Sequence, residues 1–343
     1  MRERIRICAA ACCYYSGLVK LARWWTRRRG PQLIILNYHR ASGGDLRAHL
    51  LYLRRHYRVL HLEEALEELN TLKKTGRAHD RRTPLVLTFD DGYRDNYTRA
   101  FSLACKLQVP ITIFVVPGYV ESGDHFWWLE AERLTHYSQV DKVTVEGHTY
   151  YLKQPRDRKR LTGAIDAHLR RAESVAEREA FLAALKEALV VPASGVTEEE
   201  AQALPLTWAQ IGEMEESGWV SFGAHTMHHP ILAHLTDTEE VRREIGECRI
   251  MLEQRLGHPM RALAYPFGQP GEVGEQAPGA AQEAGYDWVL TTVQGINTPQ
   301  THPHQIRRVY GDVSRHPLVM AAETSGVWKL ARWWGKTNSS PVR

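Results

Sequence analysis

Residues 85–93 read LVLTFDDGY, and this stretch indicates the fold. The apolar run Leu85–Phe89 ends abruptly in Asp90 and Asp91, and Gly92 follows them. In a parallel α/β barrel the carboxyl ends of the strands form the active-site face. Adjacent residues at a strand end point in different directions, so the two carboxylates can serve different tasks. An ordinary Asp-Gly turn is the competing interpretation of the same residues.

A second apolar run, Trp219–Ala224, ends in the segment HTMHHP at residues 225–230. Three histidines at one strand end are more than packing requires. Two neutral imidazoles and one carboxylate form a three-ligand site with positions open to water, which is typical of a catalytic rather than a structural metal. The pattern therefore predicts a metal site, in which His228 is an alternative to His229 as a ligand.

Short apolar runs alternate with longer amphipathic stretches along most of the chain, which is the pattern of βα units around a parallel sheet. The sequence predicts an α/β fold, with a barrel of about seven or eight strands spanning residues 31–316. The predicted strands are Leu33–Tyr38, Tyr57–Leu60, Leu85–Phe89, Ile111–Val116, Trp219–Ala224, Ala262–Tyr265, Trp288–Thr292 and Ile306–Tyr310.

Residues 130–204 interrupt this alternation. We interpret them as a mainly helical insertion in the barrel that covers part of the cleft. Within it, Val143–Tyr151 is suited to a small hairpin around Gly147. The charged run Asp157–Ala188 predicts one or two exposed helices.

Two copies of a short motif flank the predicted barrel, one in the N-terminal segment 1–30 and one in the C-terminal segment 317–343. Ser16–Trp25 reads SGLVKLARWW and Ser325–Trp334 reads SGVWKLARWW, with eight of ten positions identical. Tryptophan mixed with Lys and Arg is the composition of an interfacial amphipathic helix, so both segments predict contact with a membrane surface. Ordinary terminal helices that pack on the barrel are the alternative.

The sequence favours the cell envelope or a membrane-associated location, with the cytoplasm left open. The longest uncharged stretch near the start, Ile7–Val19, is shorter than the roughly 20 apolar residues of a spanning helix. Its small residues come too early for a cleavage site, so we favour a retained segment over a cleaved signal. The net charge of +4 is too small to argue for a nucleic-acid partner.

The segments TFDDG at residues 88–92 and HTMHHP at residues 225–230 closely resemble, in this order, the first two motifs of polysaccharide deacetylases (carbohydrate esterase family 4). The resemblance covers roughly residues 32–310, apart from much of the insertion, and implies a deformed (β/α) barrel. It implies that Asp90 is the catalytic base. It also implies that Asp91, His225 and His229 bind a divalent metal, with zinc expected.

Two further parts of the family pattern are looser. The segment AYPFG at residues 264–268 resembles the third motif, in which Tyr265 would supply a backbone N–H to the oxyanion. The usual arginine of this motif is absent, because Ala264 stands in its place, and we expect Arg308 to substitute for it. No late Leu-x-His motif is present. Instead, Tyr38-His39 resembles the N-terminal Tyr-His motif of a subgroup, which makes His39 the expected general acid.

The resemblance implies a metal-dependent hydrolase that removes N-acetyl groups from a polysaccharide or glycan, with O-acetyl groups as a second option. The bonds cleaved would be carbon–nitrogen bonds of linear amides other than peptide bonds. Two alternatives stay open: a carbohydrate-binding pseudoenzyme, which the missing arginine favours, and an amidohydrolase for small amides. Aromatic side chains near the cleft suit a sugar ring, and the predicted substrate-binding residues are Tyr93, Trp127, Trp128 and Pro266.

Overall fold

Seven parallel strands close into a ring in the computed structural model, which describes residues 2–75, 82–191 and 197–328. Ten strands are present in the described ranges. They are β1 (Ile34–Tyr38), β2 (Arg58–Val59), β3 (Pro84–Phe89), β4 (Ile111–Val115), β5 (Lys142–Val145), β6 (His148–Tyr151), β7 (Val220–Ala224), β8 (Ala262–Ala264), β9 (Trp288–Gln294) and β10 (Ile306–Tyr310).

The ring runs β1-β3-β4-β7-β8-β9-β10 and returns to β1. Closure depends on β1, which pairs in parallel with β3 (Tyr38 opposite Phe89) and with β10 (Leu36 opposite Val309). The short β2 pairs only with the first residues of β3. Each of the eight strands predicted for the barrel region is present within two residues of its expected bounds. The prediction of a deformed barrel is therefore confirmed.

Helices connect the strands and cover the outside of the ring. They are α1 (Arg2–Tyr15), α2 (Leu18–Arg28), α3 (Leu46–His56), α4 (Leu62–Thr75), α5 (Ser102–Leu107), α6 (Pro117–Ser122), α7 (Trp127–Tyr137), α8 (Pro155–Arg171), α9 (Val175–Leu189), α10 (Glu198–Ala203), α11 (Trp208–Glu216), α12 (Thr238–Leu256), α13 (Pro270–Val273), α14 (Ala277–Glu283) and α15 (Pro317–Ser325). A π-helical turn over Asn96–Phe101 precedes α5.

The strands of the ring are apolar on both faces, because helices pack outside and side chains fill the inside. Successive residues alternate between the two faces. Thus Ile34 belongs to the cluster that packs against the helices, whereas Ile35 belongs to a second cluster with Val86 and Phe114. Gly223 is required beside Phe114, since a Cβ there would lie 2.4 Å from the ring.

The insertion has a hydrophobic core of its own. Helices α7 to α9 and the antiparallel hairpin β5–β6 share a buried cluster that includes Leu134, Leu161 and Leu182. The predicted hairpin and helices are therefore confirmed. The insertion also contacts the strand-end loops of the barrel, because Arg178 Nη2 donates to the His228 carbonyl at 3.1 Å.

The N-terminal helices pack on the C-terminal one. Ala10, Val19 and Ala22 form a small buried cluster with Val319 and Ala322 of α15. Of the second KLARWW copy, residues 329–334 lie outside the described residues. None of the described helices is long and apolar enough to cross a bilayer alone. By length and composition only, α1 and α2 together would qualify, with a 72° bend between them.

Candidate active site

Asp90 and Asp91 leave the end of β3 in different backbone conformations. The Asp90 N–H donates to the Tyr38 carbonyl at 2.9 Å, so Asp90 still continues the β1–β3 ladder. At Asp91 and Gly92 the backbone turns into the left-handed region, with φ of 73° and 74°. A Cβ at Gly92 would lie 2.9 Å from Val115 Cγ1, so this turn suits only glycine. The turn separates the two neighbouring carboxylates.

The end of β7 folds back on itself, which brings two histidines together. The His225 N–H donates to the Val115 carbonyl at 3.0 Å and thus extends the β4–β7 ladder. Thr226 and His229 then adopt φ of 61° and 56°. Thr226 Oγ1 accepts a hydrogen bond from the His229 N–H at 3.1 Å. The His225 and His229 rings end 4.8 Å apart, centroid to centroid.

Asp91, His225 and His229 form a buried triangle of candidate metal ligands. Nε2 of each histidine lies 3.4 Å from Asp91 Oδ1, and one ligand atom from each residue falls within 4.8 Å of the others. The Nδ1–H of His225 donates to the Ala264 carbonyl at 2.7 Å, which directs Nε2 toward Asp91. A histidine held in this way by its other nitrogen is typical of metal sites.

The protonation states of this triangle suit a cation. Burial raises the pKa of Asp91, but hydrogen bonds with His225 and His229 outweigh burial and hold it well below its ordinary value. Burial lowers the pKa of His229 to about 4, so this imidazole is neutral at neutral pH. Burial also lowers the pKa of His225, but the hydrogen bond with Asp91 outweighs it and the net shift is upward. As a metal ligand, His225 would bind through a deprotonated Nε2.

His228 faces away from the triangle. Its Nδ1 lies 2.6 Å from Glu244 Oε1, and its backbone N–H donates to Glu244 Oε2 at 2.8 Å. Of the two alternatives that the sequence left open, the structure therefore brings His229, and not His228, to Asp91.

Arg308 reaches Asp90 from β10. Its Nη1 donates to Asp90 Oδ1 at 2.7 Å, and its Nε donates to the Thr291 carbonyl at 2.9 Å. Both members of the Arg308–Asp90 pair are at most 2% exposed. Burial raises the pKa of Asp90, but the Arg308 guanidinium and His225 outweigh burial and lower it below its ordinary value. Asp90 is therefore an ionised carboxylate beside the triangle.

The backbone around Tyr265 differs from the expectation. The Tyr265 N–H donates to the Leu290 carbonyl at 3.1 Å, so it belongs to the β8–β9 ladder and does not face the cleft. The prediction that it binds an oxyanion is wrong. Two residues later, Phe267 lines the cleft with φ of 57°. Its N–H has no hydrogen-bond acceptor within the part of the chain that the structure describes. In the sequence, the one sign of this backbone donor was the Pro266-Phe267-Gly268 turn that ends the strand.

Left-handed backbone is concentrated at this site. Of seven described non-glycine residues with positive φ, four lie here: Asp91, Thr226, His229 and Phe267. A threonine in this conformation is a genuine outlier, because its β-branched side chain crowds the backbone. Each such residue costs on the order of 1–3 kcal/mol, and strain of this kind gathers at functional sites.

The triangle and Asp90 open into a cleft of about 760 Å³. His39, Tyr93 and Trp128 line it together with them, and Trp128 Nε1 donates to Tyr93 Oη at 2.7 Å. The insertion contributes Arg170, whose guanidinium lies 5.4 Å from the Phe267 ring centroid. The insertion therefore does cover part of the cleft.

Two predicted substrate-binding residues do not line the cleft. Trp127 is 1% exposed, and its Nε1 donates to the His229 carbonyl at 2.9 Å. Pro266 is buried behind Phe267. Their assignment to substrate is wrong, because Trp127 supports a candidate metal ligand from behind and Pro266 belongs to the turn after β8.

Comparison with known proteins agrees with this geometry. The family model described as Polysaccharide deacetylase matches residues 77–175 and 175–289, which include Asp90, Asp91, His225 and His229. The chain belongs to the polysaccharide deacetylase family. The predicted family is thus confirmed, while the subgroup with an N-terminal Tyr-His motif stays a prediction.

Individual relatives are distant. YxkH of Bacillus subtilis (strain 168), whose name places it among polysaccharide deacetylases, is 29% identical over 135 residues. That match covers 37% of this chain and 45% of YxkH, so this chain matches less than half the length of that curated relative.

Solved structures share the fold. The deacetylase PplD of Streptococcus pyogenes, in complex with acetate, has a TM-score of 0.54 at 18% identity, covering 85% of this chain and 97% of PplD. IcaB from Ammonifex degensii has a TM-score of 0.53 at 20% identity, covering 86% of this chain and 98% of IcaB. At these identities the comparison shows the barrel alone.

Proposed function

We propose that this chain hydrolyses N-acetyl groups of an acetylated glycan, with a divalent cation held by Asp91, His225 and His229. The observation that best supports this proposal is the presence of two kinds of buried carboxylate side by side. Asp91 joins two histidines in a ligand triangle, whereas Asp90 stays outside it and is paired with Arg308. Amide hydrolysis needs both functions, since the carbonyl is a poor electrophile and water a poor nucleophile.

The donor set fits zinc, which we propose as the metal. Two imidazole nitrogens and one carboxylate oxygen are the ligands of many catalytic zinc sites, and they leave at least one position open. A divalent cation supplies polarisation of the acetyl carbonyl and makes an attacking water easier to ionise. The three residues are at most 5% exposed, so the triangle is shielded from solvent except toward the cleft.

Asp90 is the proposed general base. It lies at the cleft, and Arg308 keeps it ionised and oriented through Nη1. The missing arginine of the third motif was the main sequence argument for a pseudoenzyme. Arg308 weakens that argument, because it contacts the proposed base from another strand.

The Phe267 N–H is the proposed oxyanion donor in place of the Tyr265 N–H. It is a backbone donor without a partner in the described ranges, on a residue that lines the cleft. Preorganised donors of this kind stabilise the charge that develops on the carbonyl oxygen.

His39 is the proposed general acid. It lies at the end of β1, next to β3, and lines the same cleft as Asp90 and Asp91. Protonation of the departing amine is required because an amine anion is a very poor leaving group. The same arrangement would also cleave an O-acetyl ester, whose alcohol leaves more easily.

A sugar ring is the proposed occupant of the outer cleft. Trp128 is half-buried at its wall, with its ring centroid 4.2 Å from that of His229, so a ring stacked on Trp128 would lie next to the triangle. We also propose a location in the cell envelope, where such glycans occur at a surface.

The test is acetate release from N-acetylglucosamine oligomers and from acetylated envelope glycans, with and without a chelator. We expect release that the chelator abolishes and added zinc restores, together with about one zinc per chain in elemental analysis. Small N-acetylated amides run in parallel would identify an amidohydrolase. Stoichiometric metal without acetate release from any glycan would overturn the proposal and favour a binding protein.

A further inference from the structure

Helix α2 has two apolar faces, and only one of them packs against other residues that the structure describes. Val19 and Ala22 are buried in the cluster with α15. Beside this buried face, Leu18, Leu21 and Trp25 follow the spacing of one helical stripe, and all three are exposed. Leu21 is 54% exposed, a large value for leucine on an ordered helix.

Basic side chains border this exposed stripe. Arg28 stacks on the exposed Trp24, with 4.0 Å from its guanidinium carbon to the ring centroid, and Arg29 lies 5.6 Å from the Trp25 ring. Lys20 is also exposed. Eight of the chain's 44 Lys and Arg residues lie within residues 2–29, but only one of its 40 Asp and Glu residues does. The positive charge of the chain is therefore concentrated on this segment.

We infer that the exposed face of α2, formed by Leu18, Leu21, Trp24 and Trp25, docks on the surface of an anionic phospholipid bilayer. Tryptophan and leucine on one side, with Lys and Arg at the edges, are the features of a helix that lies in the plane of the interface. Each basic residue near an anionic surface adds roughly five-fold in affinity, and salt screens this contribution. Both features are present on this one helix.

Helix α1, which packs against α2, adjoins the catalytic cleft. Ile5 and Arg6 of α1 line a groove of about 620 Å³ that shares Gln294 and Tyr310 with the cleft. What we infer from this proximity rests on the proposed function. It indicates that the docked protein acts on acetylated glycans held at the membrane surface.

The test is flotation of the full chain with phosphatidylcholine vesicles, with and without phosphatidylglycerol, at low and high salt. We expect flotation only with phosphatidylglycerol, weakened by salt. The double variant Trp24→Ala/Trp25→Ala should bind vesicles at least about ten-fold more weakly than the wild type. Leu21→Gln and Ile250→Gln form a matched pair, since both residues are 54% exposed but only Leu21 is on the proposed face. Only Leu21→Gln should reduce binding.

A parallel variant, Trp333→Ala/Trp334→Ala, measures binding by the second motif copy, of which residues 329–334 lie outside the described ranges. The inference is overturned if vesicles are not bound, if all binding is lost with the second copy alone, or if the face instead mediates self-association that Trp24→Ala/Trp25→Ala abolishes. Acetate release from soluble oligomers should be unchanged in every face variant, whereas release from lipid-tethered oligomers should fall. No release from either substrate would refute the proposed function without touching the docking result.

Discussion

The two sides of the cleft contribute different chemistry from very different distances along the chain. On the β3–β7 side, Asp91, His225 and His229 come from two short segments at the ends of β3 and β7, which have β4 between them. On the β10–β1 side, Arg308 and His39 come from opposite ends of the barrel sequence and line the same cleft because β1 closes the ring. The first side is therefore a local property of two motifs, and the second is a property of the closed barrel.

The two sides also differ in their energetics. The β3–β7 side holds three strained residues, Asp91, Thr226 and His229, and offsets their cost with hydrogen bonds such as the one from Trp127 to the His229 carbonyl. The β10–β1 side relies on a buried ion pair, which is favourable only while both partners are present. Substitutions on the two sides should therefore impair the protein in different ways.

The largest effect is expected from the β3–β7 side. His229→Gln should abolish bound zinc and reduce acetate release to background, because two protein ligands hold the metal poorly. The matched control is His228→Gln, which replaces a neighbouring histidine that faces Glu244. Zinc content and turnover close to wild type are expected for the control. Equal losses in the two variants would contradict the assignment of His229 over His228.

His39→Ala tests the other side. Turnover should fall by about 10²- to 10⁴-fold, the usual contribution of a proton donor, while zinc content stays unchanged. Measuring both quantities on one preparation separates this result from a loss of metal. Unchanged turnover would remove His39 from the mechanism and leave the β1 end with a structural role.

Arg308→Gln should act on the base without removing the metal. Burial then raises the pKa of Asp90 with no guanidinium to oppose it, so the acidic limb of the pH–rate profile should move to higher pH. The lowered pKa of Asp90 stabilises the fold at pH values above the ordinary carboxyl pKa. This stabilisation is lost as the pH falls from there through the lowered pKa. Without Arg308 this stabilisation disappears, and the free energy of unfolding should fall by about 3–5 kcal/mol.

Arg308→Lys serves as the control for that experiment. It keeps the positive charge but loses the planar fork, so the pH–rate profile should return toward wild type with incomplete recovery of turnover. An acidic limb that stays in place in Arg308→Gln would show that Asp90 is not the titrating base.

The smallest effect on chemistry is expected at the cleft wall. Trp128→Ala should raise KM several-fold with little change in kcat, as loss of a stacking surface does. Its buried neighbour gives the contrast, since Trp127→Ala should instead lower the free energy of unfolding by about 3–5 kcal/mol. If Trp128→Ala leaves KM unchanged, the sugar does not stack there.

Local patterns in the sequence predicted much of the fold. Apolar runs with abrupt polar ends located all eight strands of the barrel region, and the interruption of this rhythm located the insertion with its hairpin. The wrong predictions lie one or two positions from a residue that lines the cleft. Trp127 is buried, whereas Trp128 lines the cleft. The Tyr265 N–H is in the sheet, whereas that of Phe267 has no acceptor among the described residues. Adjacent side chains in a helix point about 100° apart, and the sequence alone does not show which of two neighbouring tryptophans faces the core.

The sequence by itself determined that two carboxylates and a histidine cluster stand at strand ends, because burial of a short apolar run and its polar termination are local properties. The tertiary structure alone decided which atoms meet. Arg308 and Asp90 are 218 residues apart and come together only through the pairing of β1 with both β3 and β10. His229 turns toward Asp91, and His228 away from it, because the backbone after β7 becomes left-handed. A left-handed backbone of this kind persists only where surrounding contacts offset its strain, and those contacts come from the folded barrel.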